Sequence, residues 1–149
     1  MTALTDTYGT KFFFEDMTAE QAGLWKGLRH DSGDPIEFGE TAIRFYERYS
    51  IDPKEKLLVF SDGLDINAIV AIANHFRGRI NVTFGWGTNL TNDLGLMALS
   101  LVIKAVESCW HGTVKLSDNL AKATGIPEDV NRFIKIFGYT ETLNQSCTY

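Results

Sequence analysis

Four polar segments of this chain stand where predicted parallel strands end. Asp6, Asp31 and Asp62 each follow an apolar run, and Gly85 to Asn89 occupies the equivalent place after a fourth run. Because the carboxyl ends of parallel strands share one rim of a sheet, we expect these residues to meet. Carboxylates accept hydrogen bonds from ribose hydroxyls, and the N–H groups of a glycine-rich turn bind phosphate. The residue types therefore predict a sugar-phosphate site.

Each of these features also has a structural explanation when it is taken alone. Asp31, Asp34 and Asp65 stand where an aspartate caps a helix, which contributes about 1 kcal/mol without any ligand. A lone Gly85-x-Gly87 is common in turns, and the G-x-x-x-x-G-K-[ST] and G-x-G-x-x-G phosphate motifs are absent from the sequence. The prediction of a site therefore depends on the repetition at four strand ends.

Other catalytic or metal-binding arrangements find no support in the residues. Ser32 and Ser61 could act as nucleophiles only with a placed base, and no G-x-S-x-G elbow is present. The three histidines lack metal-ligand spacing, and Cys109 and Cys147 form no C-x-x-C pair. We therefore predict no metal site and no disulfide framework.

The composition of the 149-residue chain is that of one globular domain. Hydrophobic residues make up 44% and charged residues 22%, values that argue against disordered and collagen-like chains. The net charge of -5 disfavours a nucleic-acid surface, which needs a clustered basic excess. We find no export signal and no apolar run long enough to span a membrane, so we expect a cytoplasmic protein.

Apolar runs recur along the first part of the chain at the spacing of βα units. Strands are predicted to begin near residues 3, 26, 56 and 80, about 25 to 30 residues apart. The run from Leu57 to Phe60 is typical of a strand in a parallel sheet, and the first strand is predicted over Ala3 to Tyr8. The side chains expected to face the interior of a barrel are Leu58, Phe60, Val82 and Phe84.

Helix signals follow these strands. Thr18 opens a short helix with a capping box, and Asp34 caps a longer helix that Pro35 begins. Asp65 caps the helix of the central βαβ unit, and Pro127 begins the last helix. These signals place a helix after each of the predicted strands before Ile80 and one more near the C-terminus.

The C-terminal part departs from the βα spacing. Residues 99–106 and 113–116 are predicted to pair as strands, with residues 107–112 as their connection. This divides the chain into a βα part, a C-terminal strand pair with its helix, and a loose tail, over residues 1–97, 98–140 and 141–149 respectively.

Six segments, taken together and in order, resemble nicotinate phosphoribosyltransferases. They are ALTDTY (3–8), LRHDSGDP (28–35), VFSDGLD (59–65), FGWGTNLTND (84–93), LVIKAVE (101–107) and VKLSDN (114–119). The resemblance covers residues 2–140 and corresponds to the C-terminal half of such an enzyme. It implies an α/β fold, a partial (β/α) barrel of about four βα units with a C-terminal strand pair and helix.

The resemblance also implies a reaction. The family joins nicotinate to 5-phosphoribosyl 1-pyrophosphate with consumption of ATP and gives nicotinate mononucleotide, in the salvage route to NAD. Mg²⁺ accompanies the pyrophosphate group. The pyridine nitrogen displaces pyrophosphate from the anomeric carbon. Carboxylate and phosphate charge then stabilises the positive ribosyl centre.

Roles follow by resemblance for eight residues. Arg29 and Asp31 would contact the phosphoribosyl donor, and Asp62 and Gly63 would contact its ribose. The 5′-phosphate would bind Gly87, Thr88 and Asn89. Asp6 would stand near the histidine that the family phosphorylates, which lies outside this sequence.

Alternatives to an enzyme remain open at this stage. The chain is expected to be inactive alone, and it could instead be a non-catalytic sugar-phosphate-binding or interaction module, or a truncated gene product. Expected partners are a small sugar phosphate and, because the edges of a partial barrel are open, a second copy or a chain that supplies the other half. No nucleic acid or membrane is expected.

One departure from the family's usual residues concerns backbone conformation. Ala121 stands where the related serine-aspartate-x-x-glycine-lysine segment has glycine. If that position needs a positive φ, alanine would be strained there.

Overall fold

A four-stranded parallel sheet is the centre of the computed structural model, which describes residues 1–90, 92, 95–97, 99 and 101–145. The elements in chain order are β1 Thr2–Leu4, α1 Thr10–Asp16, α2 Ala19–Leu24, β2 Gly27–His30, α3 Pro35–Arg48, β3 Leu57–Phe60, α4 Ile66–Phe76, β4 Asn81–Phe84, β5 Glu107–Ser108, β6 His111–Gly112 and α5 Pro127–Ile136. The sheet order is β1-β2-β3-β4, with every neighbouring pair parallel. This confirms the predicted succession of βα units.

Strand β1 is shorter than predicted because the chain changes partner after Thr5. The N–H of Thr5 still donates to the carbonyl of Arg29 in β2. The carbonyl groups of Asp6 and Thr7 instead accept from Ser117 and Leu116, at 3.0 and 2.7 Å. The end of the first strand is therefore joined to the C-terminal part of the chain rather than to the sheet.

The side chains of the sheet alternate between two environments. Leu58 and Phe60 are fully buried in the core formed with α3 and α4. Register places Leu28 and Val82 beside Leu58, so these residues share the helix-covered face. The prediction that Leu58, Phe60, Val82 and Phe84 face a barrel interior is therefore wrong. The opposite face carries the partly buried or exposed members of the alternation, including Arg29 and Val59.

Three predicted helix caps are confirmed. Thr18 and Gln21 form a capping box at α2, and Asp34 accepts from the N–H of Glu37 at 2.8 Å. Asp65 accepts from the N–H of Ala68 at 2.7 Å. Each cap satisfies a backbone donor that the helix itself cannot pair.

Helix α1 was not predicted, and its capping explains why. Its N-cap residue, Gly9, has no side chain, so the local sequence carries no start signal. Instead Asp118 accepts from the N–H of Thr10 at 2.6 Å and from its hydroxyl at 2.5 Å. The cap is supplied by a residue 108 positions away in the sequence.

The C-terminal hairpin differs from the predicted strand pair. Strands β5 and β6 lie within residues 107–112, the predicted connection, while residues 101–106 are in no regular element. The turn is formed by Cys109 and Trp110, which have φ values of 49° and 66° and so suit a two-residue hairpin turn. Lys115 pairs with Thr124, and between the two predicted strands the N–H of Thr113 donates to the carbonyl of Val106 at 3.1 Å. Two residues at the start of the predicted C-terminal part, Ala98 and Ser100, lie outside the described residues.

Helix α5 forms as predicted and packs on the segment after β1. The rings of Phe137 and Tyr8 stack with centroids 4.0 Å apart. Beyond it, the carbonyl of Leu143 accepts from Leu120, and the N–H of Gln145 donates to Asn119. Residues 146–149 of the predicted tail lie outside the described residues. No helix in the described part of the chain has the length and apolar character needed to cross a membrane.

Candidate functional site

One open cavity of about 1330 Å³ lies beside the ends of β2, β3 and β4, and residues of the C-terminal part of the chain form its other side. Seven of the eight predicted site residues line it, namely Arg29, Asp31, Asp62, Gly63, Gly87, Thr88 and Asn89. The eighth, Asp6, is not among the lining residues. A second cavity of about 780 Å³, beside α1 and α3, contains none of the eight.

Asp31 contacts two cationic side chains at the cavity wall. Its Oδ1 accepts from Arg29 at 3.1 Å, and its Oδ2 accepts from Lys115 at 2.9 Å. Burial raises the pKa of Asp31, but the hydrogen bond from Lys115 and the nearby positive charges outweigh burial and hold this pKa below its usual value. Asp31 is therefore a fixed negative charge in a cationic environment.

Asp62 lies at the next strand end and pairs with a second lysine. The ammonium of Lys122 contacts Asp62 Oδ1 and also donates to the carbonyl of Asp31 at 3.1 Å. Gly63 follows with a φ of 56°, a conformation that glycine adopts without strain. Lys122 therefore links the ends of β2 and β3 across the cavity.

The glycine turn after β4 leaves free backbone donors and open space. The N–H groups of Gly87, Thr88 and Asn89 have no hydrogen-bond partner among the described residues. A Cβ added at Gly87 would meet no atom within 4 Å, and the φ of Gly87 is not positive. The fold itself therefore does not require glycine at this position, and a ligand can approach the backbone there.

Asp6 lies behind the cavity wall. It is only 1% exposed, and its Oδ2 accepts from Ser32 at 2.7 Å and from Ser117 at 3.0 Å. Lys115 reaches the same oxygen at 3.0 Å. Asp6 therefore connects to the cavity through Lys115, which does line it.

The cavity is cationic although the protein as a whole is acidic. Among the described lining residues, four cationic side chains face two carboxylates, an excess of two positive charges. The cations are Arg29, Lys104, Lys115 and Lys122. This charge favours a polyanionic ligand over a neutral one.

Sequence reasoning assigned no role to the three lysines. The segments LVIKAVE and VKLSDN carry Lys104 and Lys115, so the residues were visible within motifs. The folded chain is what brings them to the rim, because Lys115 and Lys122 come from a part of the chain with little regular structure. Ser32 and Ser117 were missed as a buried pair for the same reason.

The described residues contain no group of three or more histidine, cysteine, aspartate or glutamate side chains that could hold a metal ion. The two carboxylates of the cavity, Asp31 and Asp62, each pair with a lysine.

The sequence and the fold of the chain match those of one protein family. The model of the nicotinate phosphoribosyltransferase (NAPRTase) family matches residues 1–144. The chain belongs to this family. Solved structures agree: nicotinate phosphoribosyltransferase from Porphyromonas gingivalis is 43% identical with a TM-score of 0.84, over 92% of this chain and 37% of that one.

Two further structures support the assignment. Nicotinate phosphoribosyltransferase from Vibrio cholerae is 34% identical with a TM-score of 0.87, over 97% of this chain and 36% of that one. A putative nicotinate phosphoribosyltransferase from Saccharomyces cerevisiae is 32% identical with a TM-score of 0.85, over 93% and 36% of the two chains. The chain thus spans little more than a third of the length of these family members.

Ala121, which stands where the resemblance implies glycine, has no backbone strain. Ala121 lies in a 3₁₀ turn over Leu120–Lys122, and its φ is not positive. The N–H of Ala121 donates to Asn119 at 3.1 Å. The turn forms with alanine and still carries Lys122 to the cavity.

Proposed function

We propose that this chain binds the phosphoribosyl donor of a nicotinate phosphoribosyltransferase reaction. The observation that carries the proposal is the cavity in which the seven predicted residues, Arg29 among them, meet three lysine side chains. The N–H groups of Gly87 to Asn89, which have no partner among the described residues, suit the 5′-phosphate. Asp62 with Gly63 stands where ribose hydroxyls would be bound. The lysines suit the pyrophosphate group.

In the proposed reaction the pyridine nitrogen of nicotinate attacks the anomeric carbon as the bond from that carbon to the pyrophosphate oxygen breaks. The electron pair of the broken bond leaves with pyrophosphate, whose charge Arg29, Lys115 and Lys122 would offset. Asp31 and Asp62 are the carboxylates available to stabilise positive charge on the ribosyl centre. Mg²⁺ would arrive with pyrophosphate, since this ion needs only one or two protein carboxylates beside phosphate oxygens.

Turnover is not expected from these residues alone. The family couples its reaction to ATP through a phosphorylated histidine, and in the described part of the chain no histidine lines the cavity. His30 is 2% exposed and its Nε2 contacts the carbonyl of Gly33. The histidine and the surface that holds the pyridine ring would have to come from another segment. A non-catalytic sugar-phosphate-binding module is the second candidate for the same reason.

A partner that covers apolar surface is part of the proposal. Within residues 101–106 the apolar side chains are largely exposed, and Ile103 is 99% exposed. Trp110, at the tip of the adjacent hairpin, is 92% exposed. Several large apolar side chains exposed within a short stretch of chain are typical of an interface. We propose that a second copy of the chain, or a chain that supplies further strands, covers it.

Calorimetry with a pair of glycine variants tests the phosphate site. We expect ribose 5-phosphate and 5-phosphoribosyl 1-pyrophosphate to bind weakly and free nicotinate not to bind. Gly87→Ala should lower the affinity about tenfold, because a methyl group would occupy space that the phosphate needs, while thermal stability stays unchanged. Gly23→Ala is the matched control, since its Cβ also meets no atom within 4 Å but lies on α2, away from the cavity.

Two results would contradict this assignment. Binding of nicotinate without binding of either sugar phosphate would show that the cavity is not a sugar-phosphate site. Equal effects of the two glycine substitutions would show that Gly87 does not contact the phosphate.

Formation of nicotinate mononucleotide by the purified chain, above a heat-treated control, would refute the expectation that turnover needs another segment.

A further inference from the structure

The contacts of Asp6 converge on one oxygen that a dissolved ligand cannot reach. Ser32, Ser117 and Lys115 all contact Oδ2, at 2.7, 3.0 and 3.0 Å. The other oxygen, Oδ1, has no hydrogen-bond partner among the described residues. A buried carboxylate needs a counter-charge, and Lys115 is the cation that supplies it.

The segment that carries Lys115 is fixed at the same place. Ser117, two residues after Lys115, is fully buried and has a φ of 63°. A residue other than glycine keeps such a φ only where surrounding contacts determine it. Those contacts are present: the N–H of Ser117 donates to the carbonyl of Asp6, and the hydroxyl of Tyr139 donates to the carbonyl of Ser117 at 2.5 Å. The backbone on both sides of the Asp6–Lys115 contact is therefore held in place.

Lys115 has two carboxylate partners that differ in accessibility. Asp6 is buried, whereas the side chain of Asp31 is 25% exposed and lines the cavity. An anion in the cavity can compete with Asp31 for the ammonium, but it cannot reach Asp6. Lys104 and Lys122 also line this cavity, so like charges would disfavour the position of Lys115 if Asp6 were neutral.

We propose that Asp6 is a positioning residue that acts through Lys115. Asp6 is the permanent counter-ion that holds the ammonium of Lys115 at the cavity wall, and Asp31 is the exchangeable one. When an anionic ligand binds, Lys115 keeps its contact with Asp6 and exchanges its contact with Asp31 for a ligand oxygen. That the ligand group is a pyrophosphate rests on the proposed function. The roles of Asp6 and Asp31 as counter-ions of Lys115 do not rest on it.

The test of positioning needs no ligand. The lysine side chains are labelled with ¹³C at Cε and observed by NMR. The signal of Lys115 is the one that disappears in Lys115→Arg, and its chemical shift is followed against pH. Burial lowers the pKa of Lys115, but the charge of Asp6 and the contacts with Asp31 outweigh burial and raise it overall. Asp6→Asn should lower the pKa of Lys115 further than Asp31→Asn does, because the charge of Asp6 is less screened. An equal or larger decrease in Asp31→Asn would overturn the proposal.

A second measurement uses the unmodified protein and so does not depend on whether Asp6→Asn folds. Inorganic pyrophosphate is added to protein with ¹³C at the aspartate carboxyl carbons. The Asp31 signal should move and the Asp6 signal should stay in place; movement of Asp6 by as much as Asp31 would refute the permanent contact. If no signal moves at saturating pyrophosphate, the proposed phosphate site fails, and the lysine titration still decides whether Asp6 positions Lys115.

Discussion

The sheet region, residues 1–90, and the C-terminal region, residues 101–145, differ in how they bury apolar side chains. In the sheet region Phe60, Phe76 and Leu58 are fully buried between β-strands and helices. In the C-terminal region Ile103 and Trp110 are almost fully exposed. Both regions nevertheless contribute to one cavity, the first with carboxylates and backbone donors and the second with lysines. The site therefore combines the ends of the sheet strands with a region in which Leu116 is fully buried but other large apolar side chains are exposed.

The largest effect is expected from a core substitution in the sheet region. Phe60→Ala removes a ring that packs on Phe38, Phe76 and Phe84 and should lower the free energy of unfolding by about 3–5 kcal/mol. Ile103→Ala is the control from the C-terminal region and should change the free energy of unfolding by at most about 0.5 kcal/mol in dilute solution. Urea unfolding followed by circular dichroism measures both. Similar losses for the two variants would show that both regions share one core.

An intermediate effect is expected on association. Ile103→Asp places a charge on the exposed apolar surface and should weaken self-association by about 1.5–3 kcal/mol, the value of burying one such side chain. Ile66→Asp is the control, since Ile66 is also exposed but begins α4 in the sheet region. Analytical ultracentrifugation over a range of concentrations distinguishes them. A monomer at every concentration in the unmodified protein would exclude a second copy as the partner.

The smallest effect concerns the ion pair that joins the two regions. The pKa of Asp31 in the folded protein lies below 3.8, so its charge stabilises the fold above pH 3.8, and this contribution is lost as the pH falls through the folded value. Asp31→Asn should cost about 1 kcal/mol at neutral pH, because the partly exposed pair is screened. The difference in the free energy of unfolding between Asp31→Asn and the unmodified protein should shrink below pH 3.8.

Urea unfolding of Asp31→Asn and the unmodified protein at several pH values gives this measurement. Asp16→Asn, at the exposed end of α1, changes the same residue type away from the cavity and should have an effect of at most about 0.5 kcal/mol. A difference for Asp31→Asn that grows on acidification would reverse the sign of the expected linkage.

The sequence was sufficient for the parts of the fold that local signals determine. A continuous apolar run predicted β3, and side-chain caps at Thr18, Asp34 and Asp65 predicted three helix starts. The hairpin was misplaced because its turn uses Cys109 and Trp110 instead of the asparagine or glycine that marks such turns. Which face of β3 meets the helices could not be read from a run that is apolar at every position.

The same distinction applies to the site. The aspartates and the glycine turn follow strands directly, so their meeting at one rim could be predicted from the parallel order. Lys115 and Lys122 reach that rim only through contacts with residues far away in the sequence, such as Lys115 with Asp6 and Lys122 with Asp62. Spacing along a chain does not contain this information.

The cap that Asp118 provides for α1 has a consequence for the order of folding. A helix of seven residues is too short to persist alone, and the acceptor for its first N–H is 108 positions away. Helix α1 should therefore become protected only after residues near Asp118 have reached the sheet, later than α3 and α4. Pulsed hydrogen exchange during refolding would detect this as late protection of the Thr10 amide, and early protection would contradict it. Helix α1 precedes α3 and α4 in the sequence and should nevertheless become helical after them.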